Sequence, residues 1–198
     1  MRLVLAITGA SGAIFGVRLL EALKALDVET HLVVSKWGQQ TLEHETGRTL
    51  GEIRGLAAAT YAAGEMGAAI SSGSFKTDGM VVVPASMRTV AAIAHGFGDN
   101  LVHRAAEVVL KERRRLVIVP RETPLTEIHL ENLLKLARLG VTVLPPDPAF
   151  YHRPQTVGEI VDHVVARILD QFGLEAPFAK RWDGDMRRDD VVALRPKS

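Results

Sequence analysis

Five short apolar runs, at 3–7, 30–34, 79–83, 116–119 and 141–144, punctuate the chain. They are rich in Val, Leu and Ile and do not alternate with polar residues, which is the pattern of parallel strands buried on both faces. Between them the apolar positions change to helical spacing. This predicts helices over about 12–26, 36–46, 86–95, 101–113 and 126–138, with a last one over 157–172. Strands alternating with helices make βαβ units. The predicted fold class is therefore α/β: a single doubly wound parallel sheet, Rossmann- or flavodoxin-like, forming one domain over 1–176. Residues 56–74 are mostly Ala, Gly, Ser and Thr around Tyr61, Glu65 and Met66. They break the rhythm and are expected to form a loop, mobile or closely packed. Residues 177–198 are mostly charged and read as a C-terminal tail.

Composition narrows the picture. A chain of 198 residues fits one domain. Hydrophobic content of 47% and a mean hydropathy of +0.11 leave apolar surface for contacts between subunits. A net charge of +1 gives no reason to expect nucleic acid or an anionic membrane as partner. The absence of cysteine removes disulfides, thiolate metal sites and a Cys nucleophile together. Among the seven histidines there is no His-x-x-x-His pair, so no metal is expected. The first apolar run is too short for a signal peptide, and no run reaches the ~18 apolar residues of a spanning helix. A cytoplasmic location is expected.

In a doubly wound sheet the ligand lies beyond the carboxyl ends of the strands. After the first run comes Thr8-Gly9-Ala10-Ser11-Gly12, a tight small-residue turn leading into a helix. Backbone N–H groups and the helix dipole favour an anion there. Pro84-Ala85-Ser86-Met87-Arg88-Thr89 follows the third run, Pro120-Arg121-Glu122-Thr123-Pro124 the fourth, and Ser35 closes the second. Taken singly, Ser11 and Ser86 read equally well as N-caps. N-caps leave Arg88 and Arg121 at the same edge unexplained. A dinucleotide site needs G-x-G-x-x-G and an acidic residue for the ribose. Gly9, Gly12 and Gly16 have the wrong spacing, and the second run ends Val33-Val34-Ser35-Lys36 with no acid. A P-loop is absent. A mononucleotide such as FMN fits better than a nicotinamide dinucleotide.

Arg104, Val108 and Lys111 share one helical stripe, with the two cations ~10 Å apart. Arg167 follows Val164 by three residues on the apolar face of the last helix. Two readings are open for each cation: a packed stem with its head in water, or a shared second anion site. Arg113, Arg114 and Arg115 read as a solvated helix end. Tyr151 follows Pro145-Pro146-Asp147-Pro148, where it either reaches the crevice or packs as a loop aromatic. Trp182 stands out in the charged tail, which it is expected to anchor on this subunit or a neighbour.

The stretches TGASGAIFGVRLLEAL, SSGSFKTDGMVVVPASMRTVA, RAAEVVLKERRRLVIVPRETPLTEIHLENLLKL and PAFYHRPQTVGEIVDHVVARILD resemble the UbiX-type flavin prenyltransferases, known in older usage as aromatic acid decarboxylases. The resemblance covers most of 5–172. It implies transfer of a dimethylallyl group from dimethylallyl phosphate to N5 and C6 of reduced FMN, without metal. The product would be prenylated FMN for a UbiD-type decarboxylase, and the assembly a homododecamer. Carried over by position, Gly9, Ala10, Ser11, Ser35, Ser86, Met87, Arg88, Thr89 and Arg121 would hold FMN. Arg104, Lys111, Arg121, Tyr151 and Arg167 would hold the prenyl phosphate, with Trp182 helping to close the site. Glu122 would manage the proton at flavin N5 with Ser11, and Glu45 matches a further active-site acid. Some members carry a tryptophan near the prenyl group where this chain has Met66. A thioether offers a soft apolar wall instead. Two other functions remain open on the sequence: a flavin-dependent decarboxylase acting directly on an aromatic acid, and a non-catalytic flavin-binding subunit of a decarboxylase complex.

Overall fold

The computed structural model describes residues 1–182. The apolar runs become β1 (Arg2–Ile7), β2 (Glu29–Val34), β4 (Gly79–Ala85), β5 (Arg115–Pro120) and β6 (Thr142–Val143), joined by a short β3 (Ala59–Ala62). All pair in parallel, in the order β3-β2-β1-β4-β5-β6. The chain winds outward from β1 through β2 to β3, then returns to add β4, β5 and β6 on the other side. Winding therefore reverses between β1 and β4.

Helices cover both faces, as continuous apolar strands require. One core lies beneath α1 (Ala13–Ala25) and α7 (Val157–Asp170), with α2 (Lys36–Thr46) and α3 (Leu50–Arg54) at its margin. The other lies beneath α4 (Met87–His95), α5 (Leu101–Lys111) and α6 (Glu127–Arg138). Leu3, Leu5 and Ile7 face the first core, and Val4 and Ala6 the second. The period of two along β1 thus assigns alternate residues to opposite faces.

The stretch predicted as a loop is only partly one. Ala59–Ala62 pairs with β2, and Ala69–Ser71 forms one 3-10 turn. Four residues rich in alanine carry no strand pattern of their own. The pairing is pinned instead by Tyr61, whose hydroxyl lies 2.8 Å from Nδ1 of buried His31, while His31 Nε2 lies 3.0 Å from Glu29. Helix α3 was also not predicted, although Thr49-Leu50-Gly51-Glu52 carries its signal. Thr49 and Glu52 form a reciprocal capping box. Helix α5 stops at Lys111, and Arg113 leaves the turn at φ 54.

The first residues of the predicted tail lie on the body of the molecule. Phe178 packs against the α1/α7 core under the Arg18 guanidinium, 4.4 Å from its ring centre. Arg181 bonds Asp170 at 2.7 Å. The rest of the tail, 183–198, lies outside the described residues.

Gly16 allows α1 to settle onto β4, because a Cβ there would stand 2.7 Å from the Val83 carbonyl oxygen. Gly51 has only Thr49 Oγ1 near its missing Cβ, at 3.7 Å. Gly16→Ala should lower stability by about 1–3 kcal/mol through overpacking. Gly51→Ala should be neutral or stabilising by up to about 1 kcal/mol through helix propensity. Urea midpoints of the two variants check the pair. Equal loss in both would contradict the packing.

Candidate active site

The turns after β1, β2 and β4 deliver the N-termini of α1, α2 and α4 to the carboxyl edge of the sheet, at and beside the reversal point. Thr8 ties the two central strand ends together. Its hydroxyl donates to the Pro84 carbonyl at 2.7 Å and accepts from the Ser86 amide at 2.9 Å. Thr8 is buried at 2% exposure, so losing either bond would leave a polar group unpaired. Sequence reasoning passed over Thr8. Its signal was a hydroxyl where an apolar strand meets a glycine turn.

Two of the three serines at this edge cap helices, and Ser11, read from the sequence as an N-cap, does not, because the N-cap of α1 is Gly12. Ser35 Oγ accepts from Gly38 N at 3.0 Å, and Ser86 Oγ accepts from Thr89 N at 3.3 Å and meets Thr89 Oγ1 at 3.0 Å. The N-cap reading and the ligand reading are therefore compatible. One cap takes one amide, and the other first-turn N–H groups still have no partner within the helix. The α1 terminus differs. Its N-cap, Gly12, is left-handed at φ 100, and no side chain of its own turn caps it. Glu45 reaches across from α2 instead. Its Oε2 accepts from Gly12 N at 2.8 Å and Ala13 N at 2.9 Å. The turn read as a phosphate cradle thus already holds an anion, the carboxylate of the chain itself.

Burial pushes the Glu45 carboxyl upward. Hydrogen bonds from Ser11, Gly12 and Ala13 and the charge of Arg121 outweigh this and hold it below its ordinary 4.5. Arg121 follows β5, with its amide on the Ala85 carbonyl at 3.2 Å. Arg88 reaches outward with 84% of its side chain exposed, 3.3 Å from Asp99. Glu122 is exposed, its Oε1 accepting from the Thr123 amide at 3.1 Å, while Thr126 caps the following helix. Glu122 is thus free of the capping duty. Gly9 packs against Trp37, whose indole is 68% exposed beside this edge.

Of the predicted phosphate ligands, Arg121 stands at this edge, while Arg104, Lys111, Tyr151 and Arg167 do not join it. Arg104 and Lys111 lie on α5, which packs on one face of the sheet, and Arg167 lies on α7, which packs on the other. Arg104 Nε donates to the Ser71 carbonyl at 3.1 Å, and Lys111 pairs with Glu112. Lys111 ends the helix that feeds the amino end of β5, whereas Arg121 follows its carboxyl end. The strand between them spans about 20 Å. Arg167 bonds Asp170 at 2.8 Å. Near it on α7, Tyr151 packs edge-on against His163 at 5.7 Å and against Trp182 at 5.6 Å. Met66 is partly exposed on the turn after β3. One protomer therefore carries three separate clusters: the carboxyl edge, the α5 cations and the α7 group.

The flavoprotein family model matches residues 1–169. A UbiX-like flavin prenyltransferase from Streptomyces sp. (strain D7) is 64% identical, over 93% of this chain and 92% of its own. A solved dodecameric FMN-dependent UbiX-like decarboxylase from Escherichia coli O157:H7 is 57% identical with a TM-score of 0.92, over 93% of this chain and all 100% of its own. A solved AnUbiX (PadA1) in complex with FMN and dimethylallyl pyrophosphate is 50% identical with a TM-score of 0.91, over 92% and 97% of the two chains.

The depressed Glu45 predicts a pH-dependent helix terminus. A carboxyl lowered by folding stabilises above its unfolded value, and that stability is lost as pH falls through the folded value. Glu45→Gln should cost about 0.3–1 kcal/mol at pH 7. The gap from wild type should close as pH falls below the ordinary carboxyl range. Urea titrations at neutral and acid pH measure it, and a gap unchanged at acid pH would contradict the charge-based cap.

Proposed function

The chain belongs to the UbiX-like flavin prenyltransferase family, and from that premise we infer that it transfers a dimethylallyl group from dimethylallyl phosphate to N5 and C6 of reduced FMN. The product, prenylated FMN, serves a UbiD-type decarboxylase. The observation that carries this reading is the carboxyl edge at the β1/β4 reversal, where helix N-termini and hydroxyls gather, Arg88 and Arg121 follow β4 and β5, and β2 ends in Ser35 with no acid for a second ribose.

These residues fit FMN. The first amides of α2 and α4, the hydroxyls of Ser35, Ser86 and Thr89, and the exposed Arg88 offer donors for its phosphate. Gly9, Ala10, Ser11, Met87 and Arg121 would line the rest. Bound and reduced, the flavin supplies a nucleophilic N5, so the protein needs no covalent nucleophile. Glu122, whose carboxylate is exposed at this edge, would accept the proton from N5. Ser11 and Glu45 hold the turn beneath it, and the charge of Arg121 favours the Glu45 carboxylate. Arg104, Lys111, Arg167 and Tyr151 take the departing phosphate, where fixed positive charge counts most in a water-poor site. Trp182 closes over Tyr151.

The separation of the three clusters supports a site completed between copies. Charges on opposite faces of one sheet hold a single phosphate only when neighbouring protomers supply them. The dodecamer is thus part of the chemistry. No helix among the described residues is long and apolar enough to cross a membrane. Cytoplasmic residence completes the reading.

Mixed assembly tests it. Lys111→Ala and Glu122→Gln should each bind FMN yet form prenylated flavin at least tenfold more slowly. Co-assembled, they should regain activity, because up to about a quarter of interfaces would pair an intact Lys111 from one copy with an intact Glu122 from another. Normal turnover by Glu122→Gln alone would remove its catalytic role. Failure of the mixture to recover would place all ligands in one protomer.

A further inference from the structure

His163 and Arg167 stand four residues apart on α7 and share one face. Both line a cavity of about 360 Å³, closed on its other side by Thr142, Leu144 and Asp147. His163 stacks on His152 with ring centres 4.9 Å apart and planes 20° from parallel. Both ring nitrogens of His152 are shut off from solvent and have no hydrogen-bond partner among the described residues. Two buried polar atoms without partners are costly. The stack thus sets the unpartnered imidazole of His152 behind His163, on the wall that carries Arg167.

The charges around the pair are mixed. From the loop before α7, Tyr151 and Asp147 face it. From α7 come Arg167 and Asp170, with Arg181 of the tail bound to Asp170. Glu159 on the first turn of α7 lies near His152 and is paired with Lys180. Burial, then His152 and Arg167, hold His163 below its ordinary 6.5, against the pull of Asp170. The neutral form therefore prevails at neutral pH. A dianion beside Arg167 would reverse that balance, since it cancels the arginine and adds negative charge next to the ring.

We propose that His163, backed by His152, is a proton-binding member of the phosphate subsite and takes up a proton when the anion docks beside Arg167. This rests on the assignment of Arg167 and Tyr151 to the prenyl phosphate. The anion thus meets a cation created on its arrival, and affinity for it falls as pH rises.

Sulfate is a suitable probe because it stays a dianion across the working pH range. Calorimetric titration of sulfate into the FMN-loaded full-length assembly, in two buffers of different ionisation heat, counts the protons taken up. Wild type should take up about half a proton or more per sulfate near pH 7, and its affinity should fall about tenfold between pH 6 and pH 7.5. His163→Gln should bind sulfate with almost no proton uptake and a flat pH profile. His163→Asn guards against a packing defect and should behave alike. Proton uptake unchanged in both variants, or absent from wild type, overturns the proposal. If Arg167→Ala binds sulfate as well as wild type, the phosphate subsite itself is misassigned and the inference falls with it.

Discussion

All six strands run the same way, so every strand-to-helix turn opens at one edge of the sheet and every helix-to-strand turn at the other. That single direction governs both halves of the function. It gathers the N-termini of α1, α2 and α4 where winding reverses, and with them the hydroxyls and arginines suited to a mononucleotide. It also sends Lys111, the last residue of α5, to the far edge from Arg121. A parallel sheet of this topology does not bring Lys111 and Arg121 to one small anion within the same protomer.

Association between copies would resolve the conflict, and the chain carries an apolar surface suited to it. Helix α6 buries Asn132 and Leu136 against the body and leaves Ile128, Leu130 and Leu134 exposed. An apolar outer face on a helix already packed on its inner side suits a contact between copies. Excess hydrophobic content, a separated ligand set and a dodecameric relative at 57% identity point to the same arrangement. The first residues of the tail pack there too, with Trp182 against Tyr151 and Arg181 on Asp170, beside Arg167 of α7.

Much of this was legible in the residues. The β1, β2, β4 and β5 runs read correctly because strands buried on both faces must be continuously apolar. The edge residues Ser11, Ser35, Ser86 and Arg121 follow from the place where each run stops. What escaped had no periodic signal. Strand β3 depends on backbone pairing and on the Tyr61–His31 contact, which join residues thirty apart. Glu45 reaches α1 from a different helix, so its role as an anion at that terminus cannot be read from Thr8-Gly9-Ala10-Ser11-Gly12 alone. The helical stripe of Arg104 and Lys111 was visible, yet sheet topology decides which edge each helix end faces. The histidine stack on α7 joins a loop residue to a helix residue and has no local sequence mark.

The most direct test of the account is a mass spectrum of the flavin after anaerobic incubation of the full assembly with reduced FMN and dimethylallyl phosphate. The account predicts that reduced FMN gains C5H8, a dimethylallyl group less the proton it displaces, with release of inorganic phosphate and no added metal. Recovery of unmodified FMN, with the enzyme folded and flavin-loaded, would contradict it.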